Sequence, residues 1–257
     1  VHYFLAPVAA PGPGGFRGAL GHFERLERSL REIGIEMLFS RAIFRIKIAE
    51  LLRVNRLTNG SLYLQVSRGV APRNHKIPGP MTPAVVMTVR PLREISAEVV
   101  EQGVPVITVP DIRWKRADIK TVGLLPNVLA KEEAVQRNVY EAWQMTPDGL
   151  VTEGTSTNAW IVKDGVLITH PAASAILNGV TRLALLKIAA ELDIGLDERA
   201  FSVAEAYAAD EAFLSSTSAF VVPIIKIDDR QIGSGIPGPV STALLERYKE
   251  HFWSRNA

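Results

Sequence analysis

Apolar runs of strand length and amphipathic stretches of helix length follow one another along this chain without strict alternation. A regular strand–helix repeat would point to a doubly wound parallel sheet; an irregular mixture points to α+β. Residues 61–67 (Ser-Leu-Tyr-Leu-Gln-Val-Ser) alternate as a half-buried strand does, and 84–89 form a continuous apolar run, the pattern of a strand covered on both faces. Further strands are expected at 104–109, 141–145 and 159–162. Asp164-Gly165, set between Ile161-Val162 and Val166-Leu167-Ile168, is a strong hairpin-turn signal. Helical spacing joins Phe23, Leu26 and Leu30, and a second amphipathic stretch covers 41–52 and ends near Asn55. Helices are also expected over 127–137, after Gly179 (Leu183, Leu186, Ala190 and Leu192 share a spacing that stops before Gly195), over 204–208, and after Pro239. Residues 10–21 are rich in Pro and Gly and read as a loop. The pattern turns charged and irregular after Arg90, which divides the chain into a small domain 1–92, a linker 93–98 and a larger domain 99–257.

Composition removes several classes of function. With 29 basic and 27 acidic residues the formal charge is +2, too small for a field that gathers nucleic acid or an anionic membrane. No cysteine is present, which excludes disulfides, thiolate nucleophiles and cysteine metal sites, and cytoplasmic placement is the expectation. The five histidines (His2, His22, His75, His170, His251) never stand at ligand spacing, so no metal site is expected. No apolar stretch reaches the roughly 20 residues of a membrane helix, and the opening, interrupted by Pro7 and without a basic start, does not read as a signal peptide.

Candidate chemistry lies in short segments, each ambiguous alone. Leu177-Asn178-Gly179-Val180-Thr181-Arg182 puts a glycine and a hydroxyl where a helix begins, which suits an anion and equally describes an ordinary cap. Ser215-Ser216-Thr217-Ser218 offers four hydroxyls in a row, or a solvated turn. Glu153-Gly154-Thr155-Ser156-Thr157-Asn158 is polar ahead of the hairpin, Arg25 sits on a charged helix, and Lys120 is a single lysine beside Ile119 and Val122.

Their order and wording carry more than any of them singly. Asp111-Ile112-Arg113-Trp114-Lys115-Arg116-Ala117-Asp118-Ile119-Lys120, running on to Leu124-Leu125 and Asn127-Val128-Leu129-Ala130-Lys131-Glu132-Glu133-Ala134, resembles the cofactor-lysine segment of D-amino-acid aminotransferases. Thr152-Glu153-Gly154-Thr155-Ser156-Thr157-Asn158, Asp164-Gly165, Thr169-His170-Pro171 and the stretch 176–182 follow in the order seen in fold-type IV pyridoxal-phosphate enzymes. The likeness runs from about residue 21 to the C-terminus. It implies a small N-terminal α/β domain and a larger β-barrel-like domain with helices, pyridoxal 5'-phosphate as cofactor, and a homodimer.

The same resemblance assigns roles. Lys120 would hold the cofactor as a Schiff base and shuttle the substrate α-proton. Glu153 matches the carboxylate that pairs with the pyridine nitrogen. Arg25, Val180, Thr181, Ser216 and Thr217 match the phosphate cup, and Leu177 the apolar residue packed on the ring. In Arg68-Gly69-Val70-Ala71-Pro72-Arg73-Asn74-His75, Arg73 and His75 match an Arg-x-His pair that reaches from the neighbouring subunit to grip the substrate α-carboxylate. The usual opening segment of the family is not recognisable; Val1-His2-Tyr3-Phe4 reads as its remnant, which would put His2 or Tyr3 in the position of a pocket-lining tyrosine. The implied reaction moves an amino group from a D-amino acid such as D-alanine to a 2-oxo acid such as 2-oxoglutarate. The alternatives are a branched-chain L-amino-acid aminotransferase of the same fold, an aminodeoxychorismate lyase, or a relative that binds the cofactor without turnover.

Overall fold

The computed structural model describes residues 2–9, 20–92 and 95–254, with the side chains of 2–9, 59 and 252–254 left aside. The expected loop at 10–21 lies mostly outside the described residues, and so do two positions of the expected linker 93–98. The chain forms two compact units: Val1–Arg93 with Ile119–Gly123 and Phe252–Ala257, and Glu94–Asp118 with Leu124–His251.

In the first unit, β1 (His2–Ala9), α1 (Leu20–Glu32), α2 (Arg41–Val54), β2 (Asn59–Ser67) and β3 (Ala84–Arg90) follow in order. The strands form an antiparallel sheet ordered β1-β2-β3. β1 is longer than the four-residue remnant read from sequence and pairs with β2 along its whole length, from His2 opposite Val66 to Ala9 opposite Asn59. Phe23, Leu26 and Leu30 of α1 pack with Phe44, Ile48 and Leu52 of α2 over Leu62, Leu64 and Val66 of β2. Three residues per helix at turn spacing and alternate residues of the strand supply this core, because those periods bring side chains to one face. Ser40 caps α2 by accepting from the Ile43 amide. The run 84–89 is not covered on both faces: β3 is a sheet edge with alternating exposure, and Val86 is 51% exposed. A continuous apolar run reports strand propensity; only the strand's place in the sheet decides what covers it.

The second unit contains α3 (Ala97–Gln102), β4 (Val104–Pro110), α4 (Leu125–Gln136), β5 (Glu141–Met145), β6 (Leu150–Gly154), β7 (Asn158–Lys163), β8 (Val166–Thr169) and α5 (Val180–Glu191). β9 (Gly195–Glu198), β10 (Phe201–Ser202), α6 (Val203–Tyr207), β11 (Glu211–Ser216), β12 (Phe220–Ile227), β13 (Arg230–Gln231) and α7 (Pro239–Ser254) complete it. One sheet runs β10-β6-β5-β4-β12-β11-β7-β8-β9, with β13 added on β12. β4 lies parallel to both β5 and β12, and most other pairs are antiparallel, the mixed topology of an α+β fold. Alternate residues of one strand enter different cores. Ala159 and Ile161 of β7 join Trp143, Phe201 and Leu214, whereas Trp160 and Val162 join Leu185, Phe213 and Leu244. The second core lies beneath α5 and α7, and there the Trp160 and Phe213 rings stack with centroids 5.5 Å apart. The hairpin signal is realised: Lys163 pairs with Val166, and Asp164 and Gly165 take φ of 50° and 77°. No described helix is long and apolar enough to cross a membrane.

Candidate functional site

β4 delivers Asp111 and Arg113 just beyond its last residue, where the Asp111 amide donates to the Met145 carbonyl at the end of β5. Arg113 meets Asp111 with two nitrogens, Nε to Oδ1 at 3.0 Å and Nη2 to Oδ2 at 2.7 Å. Nη2 also donates to the Ala175 carbonyl at 3.0 Å and to Thr152 Oγ1 at 3.2 Å, and Thr152 Oγ1 lies 2.7 Å from Asp111 Oδ2. Nη1 donates to Oε1 of Glu153, so one guanidinium ties together the ends of β4 and β6 and the loop before α5.

Glu153 is only 6% exposed. Besides Arg113 it accepts from Asn158 Nδ2 at 3.1 Å and from the Leu177 amide at 3.1–3.2 Å. Each of these partners is a donor, a set that matches an ionised carboxylate. Asn158 in turn donates to the Leu177 carbonyl at 2.9 Å. Gly179 makes room for it: a Cβ at Gly179 would stand 2.2 Å from Asn158 Oδ1. Burial pushes the Asp111 carboxyl up, but the hydrogen bonds and charge of Arg113, with Thr152, outweigh it and leave the group below its ordinary value. Burial likewise works against the Arg113 charge, and Asp111 and Glu153 together more than offset it, so Arg113 is raised.

A second part of this unit is rich in donors. Gly179, the N-cap of α5, offers no side-chain cap, so the first-turn amides around Val180 and Thr181 are not taken by one. Thr181 Oγ1 lies 3.4 Å from the Tyr248 hydroxyl, and the Tyr248 ring packs on Phe220 with centroids 5.2 Å apart. Phe220 pairs with Ser216 across the turn that carries Thr217 and Ser218. Ser216 Oγ accepts from the Ala219 amide at 3.1 Å and lies 3.4 Å from Ser218 Oγ. Phe220 is held at φ 57°, rare for a bulky residue and a sign that the surrounding packing fixes this turn.

The first unit holds a cationic cluster of its own residues. His22 and Arg25 lie one turn apart on α1, His22 Nδ1 being 3.4 Å from Arg25 Nη2. Burial, then the charges of Arg25 and Lys120, drive the His22 pKa well below the usual imidazole value. The imidazole is therefore neutral beside two cations. Lys120 is half-buried, and its segment packs with this unit. Arg73 and His75 stand on the exposed loop between β2 and β3, with no hydrogen bond or ion pair among the described residues. The base of that loop is fixed: Arg68 donates to the Gly34 and Ile33 carbonyls, and a Cβ on Gly69 (φ 116°) would meet the Thr82 carbonyl oxygen at 2.5 Å.

Of the expected site residues, Arg25 and Lys120 share a neighbourhood in one unit, and Glu153, Leu177, Val180, Thr181, Ser216 and Thr217 lie on connected elements of the other. The side chains of His2 and Tyr3 lie outside the described residues, and their backbones pair with Val66 and Gln65. The sequence assigns no role to Asp111, Arg113, Thr152, Asn158, His22 or Tyr248. Arg113 stood inside the lysine segment, but its partners Thr152, Glu153 and Ala175 are 39 to 62 positions away. The one local signal was the acid–base pair at i and i+2 directly after an apolar strand.

The amino-transferase class IV family model matches residues 14–227. The chain is 43% identical over 236 residues to the D-alanine aminotransferase of Staphylococcus haemolyticus, covering 92% of this chain and 83% of that one. It is 43% identical over 220 residues to the D-alanine aminotransferase of Bacillus licheniformis, covering 86% and 77%. Among solved structures, the Escherichia coli branched-chain amino acid aminotransferase is similar with TM-score 0.86 at 27% identity, covering 98% of this chain and 84% of that one. The T.th. branched-chain amino acid aminotransferase with pyridoxamine 5'-phosphate has TM-score 0.85 at 28% identity, covering 99% and 85%. With a family model spanning most of its length and relatives this close across nine-tenths of it, the chain belongs to the class IV aminotransferases, on the fold-type IV architecture.

Proposed function

We propose that this chain is a pyridoxal-phosphate enzyme that transfers the amino group of a D-amino acid such as D-alanine to a 2-oxo acid such as 2-oxoglutarate, yielding pyruvate and D-glutamate. The observation that carries the reading is the buried Glu153 carboxylate held by three donors, in a chain whose curated relatives at 43% identity are D-alanine aminotransferases.

The residues present fit the cofactor's chemistry. A buried carboxylate suits a protonated ring nitrogen, and uncapped helix amides with the hydroxyls of Thr181, Ser216 and Thr217 suit a phosphate. When bound, pyridoxal phosphate supplies an aldehyde for amine capture and a ring that accepts electrons as the Cα–H bond breaks. In this reading Lys120 supplies the amine that holds the cofactor and then carries the α-proton, and Arg25 adds positive charge for the phosphate. Leu177, positioned through its amide on Glu153, presents its side chain to the ring. Arg73 and His75, exposed on a loop with a fixed base, grip the substrate carboxylate in a neighbouring subunit. Fixing that carboxylate decides which Cα hydrogen faces the lysine, and so which enantiomer reacts. His2 and Tyr3 line the substrate pocket in the same reading. A homodimer is supported by exposed apolar side chains on α4 and the preceding segment, including Leu125, Val128, Leu129, Ile112 and Trp114. A cytoplasmic setting belongs to the same reading.

The test is to load the purified protein with pyridoxal phosphate, then add D-alanine and, separately, L-leucine. The expected result is a visible cofactor band that disappears with D-alanine, persists with L-leucine and is absent in Lys120→Ala. Bleaching by L-leucine alone would assign the branched-chain activity instead. Pyruvate released without an amino acceptor would indicate a lyase, and a stable band with every amino acid would mean binding without turnover.

A further inference from the structure

We infer that Asp111, acting through Arg113, sets how much negative charge Glu153 can present to the cofactor ring; the inference rests on the functional reading above. Asp111 and Arg113 are positioning residues, since neither is asked to touch substrate. Asp111, Arg113 and Glu153 have side chains 13%, 7% and 8% exposed and form one connected set with formal charges −1, +1 and −1. A guanidinium facing Glu153 alone would neutralise it and weaken its hold on a ring cation. Here Arg113 gives two nitrogens to Asp111 and one to Glu153, so its charge is shared between two carboxylates. Thr152 and the Ala175 carbonyl fix the guanidinium plane, which leaves Arg113 no freedom to turn wholly toward Glu153. The raised Arg113 and the lowered Asp111 follow from the same contacts.

Asp111→Asn keeps the shape and removes one negative charge, so Arg113 is left to face Glu153 as its one charged acceptor in the set. The holoenzyme is reconstituted with cofactor labelled with nitrogen-15 in the ring, and the ring-nitrogen resonance is followed with pH beside steady-state kinetics. In wild type the nitrogen stays protonated across the range where the protein is folded. In Asp111→Asn its pKa falls, by less than the roughly one to three units that loss of a charge in direct contact would give. kcat drops by up to about tenfold, the factor that one pKa unit represents in the protonation equilibrium, while KM for the amino donor changes little. Asp111→Glu restores the charge and recovers the protonated resonance at least in part. A merely structural role would lower thermal stability without moving the resonance.

A folded, cofactor-loaded Asp111→Asn with an unchanged ring resonance overturns the inference and leaves the functional reading intact. A wild-type protein that forms no covalent adduct at Lys120 overturns the functional reading, and the inference falls with it. Should Asp111→Asn not fold, Arg113→Lys gives the deciding result. A lysine cannot serve both carboxylates as a fork does, so the resonance must shift relative to wild type, and an unshifted one refutes the inference.

Discussion

Gly179→Ala tests whether the Glu153 clamp depends on space as well as charge. Gly179 has φ −65°, an ordinary value, so an alanine there brings no backbone strain. The cost comes from the new methyl, which would stand 2.2 Å from Asn158 Oδ1. Asn158 is short and tied at 3.1 Å to Glu153 and at 2.9 Å to the Leu177 carbonyl, so a retreat of about 1 Å breaks both bonds. A bond to a neutral carbonyl contributes about 1 kcal/mol and one to a carboxylate about 1.5–3, giving a loss of roughly 2–4 kcal/mol. Reduced freedom of the unfolded chain returns about 0.4–1 kcal/mol. Thermal melts of the two single variants and of Gly179→Ala/Asn158→Ala form a double-mutant cycle. Once Asn158 is an alanine the collision has no partner, so the second substitution should cost less than about 1 kcal/mol. Gly165→Ala, at φ 77° with nothing within 4 Å of its Cβ, is the contrast: it should lose only about 1–2 kcal/mol, from the backbone. Additive losses at Gly179 and Asn158 would refute the steric argument.

Three further outcomes follow from the same geometry. His22 has its pKa depressed by burial, so below about pH 6.5 the unfolded chain binds a proton that the folded one refuses; stability should fall with decreasing pH there by at most about 1.4 kcal/mol per unit, and chemical denaturation of His22→Gln should show a flatter profile. Glu211 accepts from the Val240 and Ser241 amides at 2.8 and 2.9 Å and from Ser241 Oγ at 2.7 Å, so Glu211→Ala uncaps α7; the melting temperature should drop by roughly 5–15 °C for about 2–4 kcal/mol. Arg73→Lys keeps the charge on an exposed loop and loses the fork, so KM for D-alanine should rise about tenfold with the melting temperature unmoved.

Local patterns were legible in the sequence; partners far apart along the chain were not. Asp164-Gly165 could be read because a two-residue turn needs positive φ at both positions and these residues tolerate it. The helix after Gly179 could be read because its apolar spacing and its glycine start are local. The 84–89 run differs from its sequence pattern because exposure at a sheet edge depends on which strand lies alongside, a long-range fact. Lys120, Glu153 and Arg25 were singled out by the wording of whole motifs, not by residue type. Arg113 stood in the same motif and went unremarked, because its role comes from meeting Glu153 and Ala175 across the folded unit.

Two arginines buried in the same unit show why the Arg113 set calls for a functional account. Arg182 is 1% exposed, but its partner Glu198 is 42% exposed at 2.5 Å, and its guanidinium carbon lies 5.9 Å from the Trp160 ring centre. That arrangement places one charge against a core and leaves its counter-charge in water, so packing suffices to explain it. Asp111, Arg113 and Glu153 are all withdrawn from solvent. Removing three charges from water costs several kcal/mol each, and well-packed apolar residues often stabilise such a site as well or better. Stability alone therefore gives no reason for a second carboxylate beside a guanidinium that Glu153 already faces. A requirement that Arg113 not neutralise Glu153 fully does give such a reason, and Asp111, which shares that guanidinium, meets it.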